Sequence, residues 1–174
     1  MSAMRLISGL PHTLRSESRY WVHATFVILQ LIITIVVFWN YWNFASYENW
    51  TLAKFILILA SPALVFLNAC TLIPERADTI ESWKVHYFEV SRRYFIGLGL
   101  WLLAVLANTI VFLDIPFFSP ARYAHLAAFA ICAVGAVSRS NGTHAVIAAM
   151  TAGLISFWIF YVAFNPGGLD FSQS

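Results

Sequence analysis

Across residues 21–73 the chain carries two charged side chains, Glu48 and Lys54, and across residues 95–169 it carries three, Asp114, Arg122 and Arg139. Between these apolar stretches, residues 74–95 hold eight of the eighteen Asp, Glu, Lys and Arg residues: Glu75, Arg76, Asp78, Glu81, Lys84, Glu89, Arg92 and Arg93. A water-facing domain usually carries about a quarter charged residues. This chain has 10% charged and 60% hydrophobic residues, so its solvent must be lipid. A net charge of +2 is too small to point to nucleic acid as a partner.

A segment of about 20 apolar residues crosses the roughly 30 Å hydrocarbon core. The sequence predicts five such spans, at residues 21–39, 52–73, 95–113, 122–137 and 144–164, the fourth only marginally long enough. Trp39, Tyr41, Trp42, Phe44, Tyr47 and Trp50 form an aromatic belt of the kind found at a membrane boundary. Lys54 lies near a span end, where it can snorkel. Ser61-Pro62 falls in mid-span, where a proline removes one backbone donor and predicts a kink. Residues 1–19, with Arg5, Arg15, Arg19, Pro11 and His12, read as a short polar tail with at most an interfacial turn. They do not read as a cleavable leader, because the apolar run after them is too long and ends in bulky aromatics. Residues 114–120 read as a short outer turn and residues 166–174 as a loose tail.

In the charged segment, Ile80, Trp83, Tyr87 and Tyr94 recur at helical spacing. Glu81 with Lys84, and Glu89 with Arg92 and Arg93, stand three or four residues apart with the acid first, the favourable order on a helix. The reading is an amphipathic helix over residues 74–94 on the membrane surface, running into the third span. Trp83, Lys84, Arg92 and Arg93 would then contact lipid or a partner.

Lys and Arg set the orientation. With five spans and the N terminus inside, Arg5, Arg15, Arg19, Arg76, Lys84, Arg92, Arg93 and Arg139 fall inside, and Lys54 and Arg122 outside. The expected divisions are therefore a cytoplasmic tail at 1–19, a hairpin of two spans at 20–73, the charged helix at 74–94, three spans at 95–165 and a tail at 166–174.

Catalytic signatures are absent: the chain has no GxSxG, HExxH, P-loop or GxGxxG, and its spans contain no Asp or Glu. Cys70 and Cys132 sit in apolar runs and read as packing thiols. His23 and His144 open the first and last spans on the same side and could ligate a haem, although a polar-tipped residue is also expected at such a boundary. Gln30, Thr34, Asn68 and Asn108 are the amides and hydroxyl that could line a polar pathway, or join helices by hydrogen bonds. Ala124, Ala128, Cys132 and Ala136 recur every fourth residue, as do Ala145, Ala149 and Gly153. Small residues at that spacing let helices approach closely, so the last two spans are expected to pack on each other or to use these ridges in an oligomer.

The run from Trp39 to Phe95 combines the aromatic outer loop, the Ser61-Pro62 span, the exit at Pro74-Glu75 and the sequences His86-Tyr-Phe-Glu89 and Arg92-Arg-Tyr-Phe95. In these features it resembles a loose group of uncharacterised bacterial multi-spanning inner-membrane proteins. The resemblance covers about a third of the chain. It implies an inner-membrane location and no particular activity.

The sequence therefore predicts an all-α polytopic membrane bundle of five spans plus one interfacial helix. Its expected role is non-enzymatic, as a structural, accessory or self-associating subunit among membrane lipids and membrane-protein partners. A homo-oligomeric channel and a haem-binding redox protein are the alternatives; otherwise no cofactor is expected.

Overall fold

The computed structural model describes residues 2–14, 19–44, 47–112 and 120–164, with the side chains of 2, 40, 42, 43, 120, 121 and 157–164 left aside. These residues form six α-helices and no strand: α1 (Ser2–Thr13), α2 (Trp21–Asn40), α3 (Leu52–Leu72), α4 (Trp83–Val111), α5 (Pro120–Val137) and α6 (Asn141–Phe164). Three of them, α2, α3 and α4, are long and apolar enough to cross a membrane. The apolar stretch of α5, Arg122–Val137, is shorter. The expected turn at 114–120 lies almost wholly, and the tail at 166–174 wholly, outside the described residues.

Local chemistry sets the helix ends. Thr51 caps α3, its hydroxyl accepting from the Lys54 amide at 3.3 Å, and Ser82 does the same for α4 with Val85 at 3.5 Å. α3 stops at Leu72 because Ile73 precedes Pro74, and a residue before proline is driven out of the helical region into the extended one. Pro62 lies inside α3 and leaves the Ile58 carbonyl without its amide donor. The Tyr41 hydroxyl, on the short 3-10 turn after α2, donates to that carbonyl at 2.7 Å. Burial pushes the Tyr41 hydroxyl up to about 12, so it remains a donor at any physiological pH. Ser61, the neighbour of Pro62, accepts from the Trp101 indole at 2.9 Å and ties α3 to α4.

The charged segment differs from the sequence expectation. Residues 74–82 are turns, with a 3-10 element at Ala77–Thr79, and only residues 83–94 of the segment are α-helical. They are the first three turns of α4, which continues without a break to Val111. At 1.5 Å per residue its 29 residues run about 44 Å, roughly 14 Å more than a hydrocarbon core. One face of residues 83–94, Trp83, Tyr87, Val90, Ser91 and Tyr94, is buried, while Lys84, Glu89, Arg92 and Arg93 are exposed.

α4 is the axis of the bundle. It packs chiefly on α3 and α5, while α2 packs on α1, α3 and α6. Gly135 of α5 lies under the Phe95 ring, where an added Cβ would come within 2.7 Å of ring carbons. The expected packing of the last two helices on each other is slight, because α5 lies along α4 instead. Residues 2–13, expected as a tail, form α1. Leu6 and Thr13 are fully buried, and Gly9 lies so close to Ile73 that only a hydrogen fits between them. Tertiary docking forms this short helix despite Pro11, which falls in its last turn.

Candidate functional site

The densest group of buried polar side chains lies where α2 begins and α3 ends. The last carbonyls of a helix have no amide partner within it. Here donors from three other helices meet them. Leu72 O faces His23 Nε2 at 3.1 Å and His86 Nε2 at 3.2 Å, and Ile73 O accepts from Arg5 Nε at 2.8 Å. A carbonyl only accepts, so both imidazoles carry their proton on Nε2. The negative end of the α3 dipole is thus closed by α1, α2 and α4 together. Trp83 stacks on His23, with ring centroids 4.8 Å apart, and donates its indole N–H to His12 O at 2.8 Å. His23 Nδ1 is buried without a partner in the protein.

Beside this lies a second chain of bonds. His144 Nε2 donates to Ser138 O at 3.0 Å, which leaves Nδ1 as an acceptor for the Tyr87 hydroxyl at 2.7 Å. One imidazole therefore pins the α5–α6 turn to α4. Tyr20 adds a bond to Asn141 Oδ1 at 3.2 Å, and burial raises its hydroxyl pKa, which keeps it a donor. Deeper in the bundle Tyr94 donates to Gln30 Oε1, and Gln30 Nε2 donates to Val65 O, both at 3.2 Å. Thr34 bonds back to Gln30 O at 2.8 Å. The result is a ladder of neutral donors and acceptors joining α2, α3, α4 and α6, with the Phe26 ring against Tyr87, Tyr94 and Phe95.

His23 and His144 are not brought together. Tyr87 touches both rings, 6.0 Å from His23 and 5.3 Å from His144, and both nitrogens of His144 are occupied. The ring paired with His23 is His86, with centroids 5.8 Å apart. Among the described residues no three His, Cys, Asp or Glu side chains gather as a metal site. Gln30, Thr34, Asn68 and Asn108 are all buried, but they do not share one environment. The first two are satisfied within the bundle, whereas Asn68, whose Oδ1 lies against Gly97, leaves its Nδ2 without a protein partner, as Asn108 leaves its Oδ1. Trp83, expected at the lipid or partner surface, points inward, while Lys84, Arg92 and Arg93 are exposed. Of the small-residue ridges, Ala124, Ala149 and Gly153 are exposed, and Ala128 and Ala145 half-buried.

The sequence reading missed His86, Tyr87 and Tyr94 as ladder members. Their signal was the spacing of Trp83, Tyr87 and Tyr94, which marks a helix face without saying whether lipid or protein covers it. No protein-family model matches this chain, and no curated protein or solved structure is detectably similar to it.

Proposed function

We propose that this chain is a non-catalytic subunit of a bacterial inner-membrane assembly, crossing the membrane five times with its N terminus in the cytoplasm and associating through α6. The supporting observation is the contrast along α6. His144, Ile147 and Ala148 are buried against the rest of the chain. From Ala149 to Ser156 no residue is buried, and an added Cβ on Gly153 would meet nothing within 4 Å. A helix that is buried over its first two turns, keeps only Ala152 and Ile155 half-buried on the core beyond them and leaves Ala149 and Gly153 open suits packing against a further membrane helix. The ladder supports the non-catalytic part of the reading, because, apart from His23 Nδ1, its donors and acceptors are spent on one another and on helix ends.

Native mass spectrometry of the protein gently released from its own membrane tests the proposal. The expected result is a fixed complex, with copies of this chain or with a second protein. Ala149→Leu should dissociate that complex and leave the melting of the single chain unchanged. A lone chain in the wild-type spectrum would refute the reading. The channel alternative draws on Asn68 and Asn108, whose unpartnered amide atoms are the groups a polar solute or water could meet. Flux that survives Asn108→Leu would remove it.

A further inference from the structure

α1 has three faces. Successive side chains turn by about 100° around a helix. Leu6, Gly9 and Thr13 fall on one side and are buried against α2 and α3. Arg5, Ser8 and His12 fall on a second side, which lines an open cleft of about 440 Å³ facing Glu75 and Asp78. Met4, Ile7, Pro11 and Leu14 fall on the third side and point away from the protein, with Met4 74%, Ile7 55% and Leu14 46% exposed. A docked helix facing water presents its polar side outward. This one hides a mixed side, turns a polar strip along one edge and presents an apolar face outward.

We propose that α1 lies in the membrane–water boundary. Its partner there is the phospholipid bilayer, which takes Met4, Ile7 and Leu14 into the acyl edge while Arg5, Ser8 and His12 stay at headgroup level. The inference rests on the reading of α2, α3 and α4 as membrane spans. Three observations favour lipid as the occupant of this face. Twelve residues reach about 18 Å, too short to cross but right for lying in the interface. α1 docks on the ends of two candidate spans, through Arg5 to Ile73 O and His12 O to Trp83, so it sits where their apolar belt gives way to the charged segment. The outward sides of α2 and α3, including Ile28, Ile35, Leu59 and Leu67, are apolar as well, so the face of α1 adds to a surface that suits lipid. The cleft carries one fixed cation, Arg5, against Glu75 and Asp78, so it holds no excess of positive charge to seek an anionic headgroup. Insertion is therefore driven by apolar burial, and it should be as deep in phosphatidylcholine vesicles as in vesicles containing phosphatidylglycerol.

The test places a nitroxide label on single cysteines in the full chain, with Cys70→Ser and Cys132→Ala removing the native thiols. Labels at 4, 7, 8, 14 and, as a mid-span control, 100 are reconstituted in vesicles of each composition. Collision with dissolved oxygen and with a water-soluble nickel chelate is then compared. The expected result is that positions 4, 7 and 14 favour oxygen, as position 100 does, while position 8 favours nickel. If positions 4, 7 and 14 are as open to nickel as position 8 while position 100 stays protected, α1 faces water and the proposal fails, with the membrane reading intact. Dipolar broadening between labels at position 7 would show that a second copy covers the face, which also overturns it. Nickel access at position 100 would refute the membrane reading and this inference together. Circular dichroism and a monodisperse elution profile on each labelled variant confirm that the fold under test is the native one.

Discussion

The two ends of the bundle are built by different means. At the end where α2 starts and α3 stops, residues distant in sequence are joined by directed hydrogen bonds: His23 to Leu72, His86 to Leu72, Arg5 to Ile73, Trp83 to His12 and Tyr87 to His144. At the opposite end the contacts are mostly edges and faces of rings. Phe44, Tyr47 and Trp50 gather around Phe112, with centroids 5.1–5.9 Å apart. Lys54 adds its ammonium to the Tyr47 hydroxyl and ring. A hydrogen bond in a low-dielectric interior is costly to leave unmade, so the first end fixes one geometry. Ring contacts are worth about 0.5–1.5 kcal/mol each and tolerate several arrangements, so the second end can adjust. The rigid end is also the one that carries the charged segment and α1, and it is the better platform for holding a partner or the membrane surface in register.

The same substitution at the two ends should break this comparison most visibly. Trp83 is 1% exposed and Trp50 42% exposed. Trp83→Ala removes a stacked ring, a buried volume and the donor to His12, and should cost about 3–5 kcal/mol, as large-to-small changes in a core do. Trp50→Ala removes ring-edge contacts in a half-open cluster and should cost about 1 kcal/mol. Unfolding of the purified protein in mixed micelles titrated with dodecyl sulfate reads both. Equal costs would mean that the aromatic cluster is as rigid as the ladder, and the contrast between the ends would fall.

Tyr87→Phe sharpens the same contrast by one oxygen atom. The ring contacts to Phe26 and His144 stay, but His144 Nδ1 loses its donor in a buried place. The expected loss is about 1–3 kcal/mol. Because the His144 bond to Ser138 O holds the α5–α6 turn, amide exchange in residues 138–144 should quicken more than in α2 or α3. Exchange that rises evenly through the bundle would show that the bond stabilises the whole fold and does not pin that turn in particular.

Much of this architecture is legible in the sequence because lipid leaves few options. Long apolar runs must be helices, and the structure has them at α2, α3 and α4, with boundaries within two residues of expectation for the first two. What the sequence could not show is which face of a helix meets protein. Trp83, Tyr87 and Tyr94 have the spacing of a helix face and the chemistry of a membrane interface, and both readings place aromatic residues there. Only the rings of His23 and Phe26 on α2, brought in by tertiary packing, decide for the interior. α1 was hidden for a related reason. Its composition is mixed and contains a proline, and its helix depends on contacts with Ile73 and Trp83, which are distant in the chain. The histidines were noticed as a class, but their grouping into His23 with His86 and His144 with Tyr87 follows from the face that α4 turns inward, which no local pattern announces.

The smallest expected effect comes from Tyr41, whose long-range bond to the backbone gives the ring-built end a device like those of the other. Its hydroxyl meets the carbonyl that Pro62 strands at Ile58. Tyr41→Phe keeps the contacts of its ring with Phe38 and Phe44 and removes the donor alone. A net hydrogen bond contributes about 0.5–1.5 kcal/mol, so the loss should sit at or below 1 kcal/mol if water can reach Ile58 O, and nearer the top of that range if lipid seals it. Pro62→Ala on the Tyr41→Phe background separates the cases, because the alanine amide returns a helical donor to the same carbonyl. Recovery of the lost stability in the double variant, beyond what Pro62→Ala gives alone, would establish that Tyr41 acts as the substitute for the missing amide. Strictly additive effects would mean that the Tyr41 bond is incidental and that α3 accommodates its proline by itself.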